Sequence, residues 1–274
     1  MKPWKDRNRI VDCFAGIDVG SLSTEVVILD ALNRTIGYSI VETGANSTDA
    51  AQAALNQALV TAGISSTHLG ITVATGYGRG SVPWADRKVT EISCHALGAS
   101  HHFPDIGTVI DIGGQDSKVI RVGKNGKVLD FAMNDKCAAG TGRFLEVMAN
   151  KLRVPLDEMG DLSLTAETEA SISSVCTVFA ESEVVSLVAK NHPKAEILRG
   201  IHRAIVNRVW SMAQAIGVEG PVTMTGGVAK NRGIVALMGE KLERPIHIFK
   251  EPQIIGALGA ALIAKKQGCR GTNA

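Results

Sequence analysis

Aromatic residues are scarce in this chain: phenylalanine, tyrosine and tryptophan together make up 4% of it. A surface built to stack bases or sugars on aromatic faces is therefore not indicated. No long basic run occurs either, and acids and bases are interspersed to a formal net charge of +2. Nucleic acid has no electrostatic footprint to bind. No apolar stretch approaches the roughly 18 residues of a membrane span. The charged opening MKPWKDRNRIVD does not lead into a secretory core segment. A soluble, cytoplasmic protein is the expectation, with neither membrane nor nucleic acid as a partner. Cysteine is sparse too, and odd in number: Cys13, Cys94, Cys137, Cys176 and Cys269, with no CxxC pair. That pattern argues against a disulfide framework. Cys13, Cys94 and Cys269 read as small filler residues.

What the chain does have is apolar content (45% of residues) and 29 glycines. Its 274 residues suit two medium domains or one large one. IVDCFAGIDVGS ends an apolar run in turn chemistry, and STEVVILDALNRTIGYSIVET alternates as strands do. TDAAQAALNQALVTA, 48–62, has helical spacing with Thr48 or Asp49 as cap. LGITVATGYGRG is a strand running into a glycine turn, and 88–103 follows as a helix. GTVIDIGGQDSKVIRVGKNGKVLDFAMN is a second meander with an Asn-Gly hairpin turn. Helices are expected at 142–152, 177–190 and 194–216. VTMTGGVAKN, GIVALMGEKL, IHIF and GALGAALIAKKQ then read as strand and turn, helix, strand and helix. The fold class is α/β. The expected division is an N-terminal tail over 1–12, one domain from 13–106 with 251–274, and a second over 107–250.

The two meanders start alike. Asp18-Val19-Gly20-Ser21 matches Asp111-Ile112-Gly113-Gly114, and a further strand follows each. Glycine after an apolar strand leaves backbone N–H groups open to an anion. The strand-end aspartates suit hydrated Mg²⁺, which takes oxygen ligands and keeps its waters. A repeated pair of such turns predicts binding of a nucleotide's phosphates. Gly226 and Gly227 end a strand and open a helix, giving backbone access to a ligand, with Lys230 and Asn231 in reach of adenine, ribose or phosphate.

Cys137 and Cys176 are expected to stand immediately before helices, where the positive helix N-terminus favours thiolate. A cysteine nucleophile would need a linked histidine base, and the seven histidines show no supporting spacing. Zinc normally takes four ligands, more than this pair offers. Two cysteines from each half of a two-fold dimer would complete the four-thiolate set of an iron–sulfur cluster. On the residues alone, that reading and two buried fillers both stand.

Two phosphate turns, the TGG loop and the closing GALGAAL helix, in that order, resemble the acetate and sugar kinase, Hsp70 and actin superfamily. The resemblance implies two duplicated domains of that fold around a cleft for Mg-ATP. NDKCAAGTGRFLEVMAN, SSVCTVFAESEV, VIDIGGQDSKVI, ATGYGR and MTGGVAKN are similar to the activator components of (R)-2-hydroxyacyl-CoA dehydratases, nearest the 2-hydroxyglutaryl-CoA type. ATPase subunits of benzoyl-CoA reductase belong to the same family. The likeness implies that Cys137 and Cys176 ligate one 4Fe–4S cluster per homodimer. It further implies ATP/ADP contacts at Gly20, Ser21, Leu22, Ser23, Thr24, Glu25, Gly113, Gly114, Ala139, Gly140, Thr141, Gly142, Gly226, Gly227, Lys230, Asn231 and Gln253. Asp18, Asp111 and Gln115 are the candidates for positioning metal and attacking water. Reduced ferredoxin or flavodoxin would supply the electron. ATP hydrolysis would drive that electron into a separate dehydratase component, there to make a ketyl radical of the 2-hydroxyacyl thioester.

The chain departs from the family pattern at DVGSLSTE. Leu22 stands where a second hydroxyl is usual, Glu25 where a lysine is usual, and Lys230 where a glutamine is common. Two other readings use the same fold. One is a small-molecule kinase, which would want an acidic base and has no use for two thiolates; the other is a nucleotide-dependent redox regulator. An ATPase subunit of a benzoyl-CoA-reductase-like enzyme is the alternative within the family.

Overall fold

The computed structural model describes residues 13–271; the 1–12 tail and the Cys269 side chain lie outside what is described. The chain forms two compact units. The first takes the described residues up to Pro104, the Lys124–Lys127 turn and 253–271; the second takes Asp105–Gly123 and Val128–Pro252. The sequence division gave all of 107–250 to the second unit. The hairpin turn joins the first because Gly126 packs against Leu97: a Cβ on Gly126 would sit 2.8 Å from the Leu97 Cα.

The first unit is built on a sheet of strands β1 (Cys13–Val19), β2 (Ser23–Asp30), β3 (Thr35–Glu42), β4 (Leu69–Thr75) and β5 (Arg87–Lys88), in the order β3-β2-β1-β4-β5. β1 runs antiparallel to β2 and parallel to β4. Helix α1 (Ser47–Ala62) covers one face, burying Ala51, Ala54, Leu55 and Ala58 against Ala15, Ile17, Val26 and Ile28. Its cap is Asn46 rather than Thr48 or Asp49, because the Asn46 side chain accepts from both of their amides. Helices α2 (Glu91–His102) and α8 (Ile255–Gly271) cover the other face, where Cys94, Ala260 and Ala264 pack on Phe14 and Val73. α8 can lie close because Gly16 has no side chain: a Cβ there would meet the Ala257 carbonyl at 2.0 Å.

The second unit repeats the plan. Strands β6 (Thr108–Ile112), β7 (Ser117–Gly123), β8 (Lys127–Asn134), β9 (Val222–Thr225) and β10 (Ile246–Ile248) run β10-β9-β6-β7-β8. β6 is antiparallel to β7 and parallel to β9, as β1 is to β2 and β4. Asn125 and Gly126 both have positive φ, the conformation the Asn-Gly hairpin turn requires. Helices α3 (Gly142–Leu152), α4 (Met159–Leu164), α5 (Thr177–Ala189), α6 (Lys194–Ile216) and α7 (Arg232–Leu242) complete the unit. Phe144, Met148, Ile197, Ile201, Ile205, Leu237 and Met238 enclose the main core against Ile110 and Ile112. α4 is not foreseen by the sequence: six residues, MGDLSL, are too few to show a period. Among the described residues no helix is long and apolar enough to cross a membrane.

Candidate functional site

Strand alternation aims Asp18. On β1, Cys13, Ala15 and Ile17 face α1, so the even positions, Asp18 included, turn to the α2 and α8 side. Asp18 is 7% exposed, and its carboxylate lies 3.8 Å from Nε2 of His95, a buried residue of α2. Two glycines make room for it: a Cβ on Gly76 would lie 2.3 Å from Oδ1, and one on Gly256 1.9 Å from Oδ2.

The turn after β1 is held from within. Gly20 N donates to Ser23 O, and Thr43 donates through N to Leu22 O and through Oγ1 to Gly20 O, all at 2.9 Å. Thr24 is fully buried, with its hydroxyl 2.9 Å from that of Thr43. Ser21 and Leu22 stay partly exposed at the tip. Glu25 is the cross-strand partner of Asp18 and is buried. Gln253 Nε2 donates to both Glu25 Oε1 and Ser23 Oγ at 2.9 Å.

In the second unit Asp111 holds the register position of Asp18, but its cross-strand partner is Lys118. Lys118 is buried, and its Nζ lies 3.1 Å from Asp111 Oδ2 and 2.7 Å from Asp116 Oδ1. Thr225 donates to Asp111 Oδ1 at 2.9 Å. Gln115 is exposed at the turn, and Gly113 and Gly114 are partly exposed. The carbonyls of these glycines accept the first amides of α3, Gly142 N at 2.9 Å and Arg143 N at 2.8 Å. The Gly113–Gly114 turn is thus bonded to the start of the helix that follows Cys137.

The 226–231 loop begins at Gly226 with φ +82, and Gly76 of the first unit has φ +86. Each follows a threonine at a strand end, and each leans on its unit's aspartate: a Cβ on Gly226 would lie 2.9 Å from Asp111 Oδ1. Gly227 and Lys230 are exposed, and Lys230 Nζ pairs with Glu251 at 2.9 Å. Asn231 caps α7, its Oδ1 accepting from Ile234 N at 3.0 Å.

Cys137 and Cys176 are both half-buried, and Cys137 Sγ lies 4.0 Å from the carbonyl of Val175, the residue before Cys176. Cys176 is the N-cap residue of α5, as the sequence indicated. Cys137 differs. It sits in a turn ahead of α3, whose N-cap is Thr141 and whose first amides are spent on Gly113 and Gly114, so that helix start does not serve the thiol. The turn is clamped instead by Asn134, whose Nδ2 donates to the carbonyls of Cys137 (2.8 Å) and Ala139 (3.1 Å). Gly140, at φ +89, packs on α6: a Cβ would lie 2.9 Å from Arg208 Cγ. Thr141 is fully buried and donates to Ala138 O at 2.7 Å. Val175, Val178 and Phe179 beside Cys176 are 70, 67 and 63% exposed. Among the described residues no three His, Cys, Asp or Glu side chains gather as a metal site. The two thiols fit half of a four-thiolate set. The filler reading holds for Cys13 and Cys94, which are buried, and burial pushes the Cys94 thiol up to about 12.

Sequence reasoning missed Gly76, His95 and Lys118. The repeat held a signal for two of them: Thr75-Gly76 matches Thr225-Gly226, and Lys118 matches Glu25. For His95, on α2, nothing local pointed to a partner on β1.

Two sheets of one strand order, each with an aspartate at its central strand's end beside a glycine turn, define the ATPase fold shared by actin, Hsp70 and the sugar kinases. A Streptomyces griseus glucokinase of that fold superposes with a TM-score of 0.57 at 13% identity, over 93% of this chain and 99% of that one. The chain belongs to the BadF/BadG/BcrA/BcrD ATPase family, whose model matches residues 15–264, and is an ATPase. It is 47% identical over 249 residues to the activator of lactoyl-CoA dehydratase of Anaerotignum propionicum, covering 91% of this chain and 96% of that protein. The crystal structure of Acidaminococcus fermentans (R)-2-hydroxyglutaryl-CoA dehydratase component A superposes with a TM-score of 0.91 at 44% identity, over 94% of this chain and 99% of that one. The Clostridium difficile activator of 2-hydroxyisocaproyl-CoA dehydratase, solved with bound ADPNP, also gives 0.91, at 41% identity and coverages of 95% and 97%.

Proposed function

We propose that this chain is an ATP-hydrolysing one-electron donor that activates a 2-hydroxyacyl-CoA dehydratase. The observation that carries the reading is the bonding of Gly113 and Gly114 to the first amides of α3, a few residues beyond the Cys137 turn. A displacement of the phosphate turn is thereby passed to the segment that holds a cluster ligand. Residues 20–25, Gly113, Gly114, 139–142, Gly226, Gly227, Lys230, Asn231 and Gln253 hold the nucleotide. Asp18, Asp111 and Gln115 position hydrated Mg²⁺ and the attacking water. Lys118 pairs with Asp111 and aligns it, and the neighbouring glycines let the backbone close on both buried aspartates.

Cys137 and Cys176, with the same pair from a second copy, would hold one 4Fe–4S cluster; bound there, the cluster supplies a one-electron carrier loaded by reduced ferredoxin or flavodoxin. The exposed Val175, Val178 and Phe179 give the two copies an apolar surface around the thiols. The likeness to dehydratase activators supports a cytoplasmic, anaerobic setting, with the dehydratase as the electron's destination.

The test is anaerobic purification with iron, acid-labile sulfide and visible absorption measured per dimer. About four irons per dimer are expected, with nearly all of them lost in Cys137→Ser and in Cys176→Ser. A colourless monomer that still hydrolyses ATP would refute the cluster and leave the ATPase in place.

A further inference from the structure

Beneath the 226–231 loop lies a buried polar chain. His202, on α6, is fully buried. Its Nε2 lies 3.2 Å from Asn231 Nδ2 and its Nδ1 2.9 Å from Ser163 Oγ on α4. The two ends of the chain fix its direction. Asn231 Oδ1 accepts from Ile234 N, so the amide nitrogen is the atom facing the ring and donates to Nε2. A neutral imidazole accepting at Nε2 carries its hydrogen on Nδ1. Nδ1 then donates to Ser163 Oγ, whose own hydrogen goes to the Gly160 carbonyl at 2.7 Å. Each of these donors meets an acceptor, as a buried network requires. Burial also keeps the ring neutral, pushing its pKa down to about 3.

Two glycines keep the space open. A Cβ on Gly233 would lie 2.2 Å from Ser163 Oγ and 2.8 Å from His202 Nδ1, and one on Gly160 would lie 2.9 Å from Asn231 Oδ1. The packing of α4 and α7 is thus fitted to the network.

We propose that His202 is a positioning residue that sets the Asn231 side chain for nucleotide selection. Oδ1 caps α7 and one amide hydrogen is held by His202, so Asn231 presents its second amide hydrogen. That group recognises an acceptor atom on the base or ribose. The proposal rests on the reading that the 226–231 loop holds the nucleotide, and it assigns that loop its donor.

The experiment compares the KM and kcat of ATP hydrolysis in the full-length protein. Asn231→Ser keeps a helix cap and removes the amide; it raises KM about tenfold, the loss of one hydrogen bond, with kcat within about twofold. His202→Leu does the same, and the double variant is no worse than either single one, because both remove one interaction. His202→Gln keeps an acceptor toward Asn231 and brings KM back to within about threefold of the parent, since that acceptor preserves most of the bond. If Asn231→Ser raises KM while a folded His202→Leu does not, the positioning role is overturned. If Asn231→Ser leaves KM unchanged, the loop reading fails and takes the proposal with it, whereas the iron content of the dimer tests the cluster separately. Should His202→Leu not fold, ¹⁵N-histidine NMR of the parent protein decides: the hydrogen on Nδ1 is expected, and one on Nε2 refutes the arrangement.

Discussion

Asp18 and Asp111 occupy one register position in two repeated sheets, yet face opposite neighbours, Glu25 in the first and Lys118 in the second. Lys118 is buried with carboxylate oxygens at 3.1 and 2.7 Å. Removing one member of such a pair strands the other's charge, a cost of about 3–5 kcal/mol. Lys118→Met is therefore expected to destabilise the protein by about 3 kcal/mol in urea unfolding and to depress ATP turnover; a loss below about 1 kcal/mol would show that Asp111 is compensated elsewhere. Glu25 has a different support, the Gln253 amide. The DVGSLSTE stretch gave no sign of that bond, because Gln253 lies at the far end of the chain.

At the scale of elements, α3 carries the functional argument. Its first residue, Gly142, touches the Gly113–Gly114 turn: a Cβ there would meet the Gly113 carbonyl at 3.1 Å and the Gly114 Cα at 3.4 Å. Gly142→Val, with its branched side chain, pushes the two apart. ATP hydrolysis should persist while electron delivery falls, so that phosphate released per electron accepted by the dehydratase rises severalfold. An unchanged ratio would remove α3 from the coupling.

The strands and long helices were legible because their apolar spacing is strong and their ends are marked. α6 stops before Gly217, and α3 starts at Gly142 after a small-residue turn. The cysteine turn was less legible: CAAGTG looks like a helix start at Cys137, but the Thr141 amide and the first two amides of α3 are committed to Ala138, Gly113 and Gly114. Bonds of that kind depend on what packs alongside.

For the molecule as a whole, His202 gives stability a pH dependence. In the unfolded chain a histidine takes up a proton near pH 6.5, but in the fold burial lowers that point to about 3. Between those values the unfolded state binds the extra proton, so stability rises with pH and is lost on acidification. The slope is at most about 1.4 kcal/mol per pH unit. From pH 7 to pH 5 the parent protein should lose about 2 kcal/mol more than His202→Gln, which has no group to titrate. Parallel pH profiles for the two would show that His202 is already solvated in the folded state.

By itself the sequence determined the repeat, the strand-then-glycine turns and the two thiols in suggestive contexts, because each is written within a few consecutive residues by period and turn chemistry. Only the tertiary structure decided how those groups are used. Lys118 rather than Glu25 neutralises a strand-end aspartate, Gly113 and Gly114 bond to α3, Cys137 comes beside Val175, and His202 reaches Asn231 from another helix. Most of these pairings join residues on different strands or helices, and they form only where the packing of those elements brings donor and acceptor together.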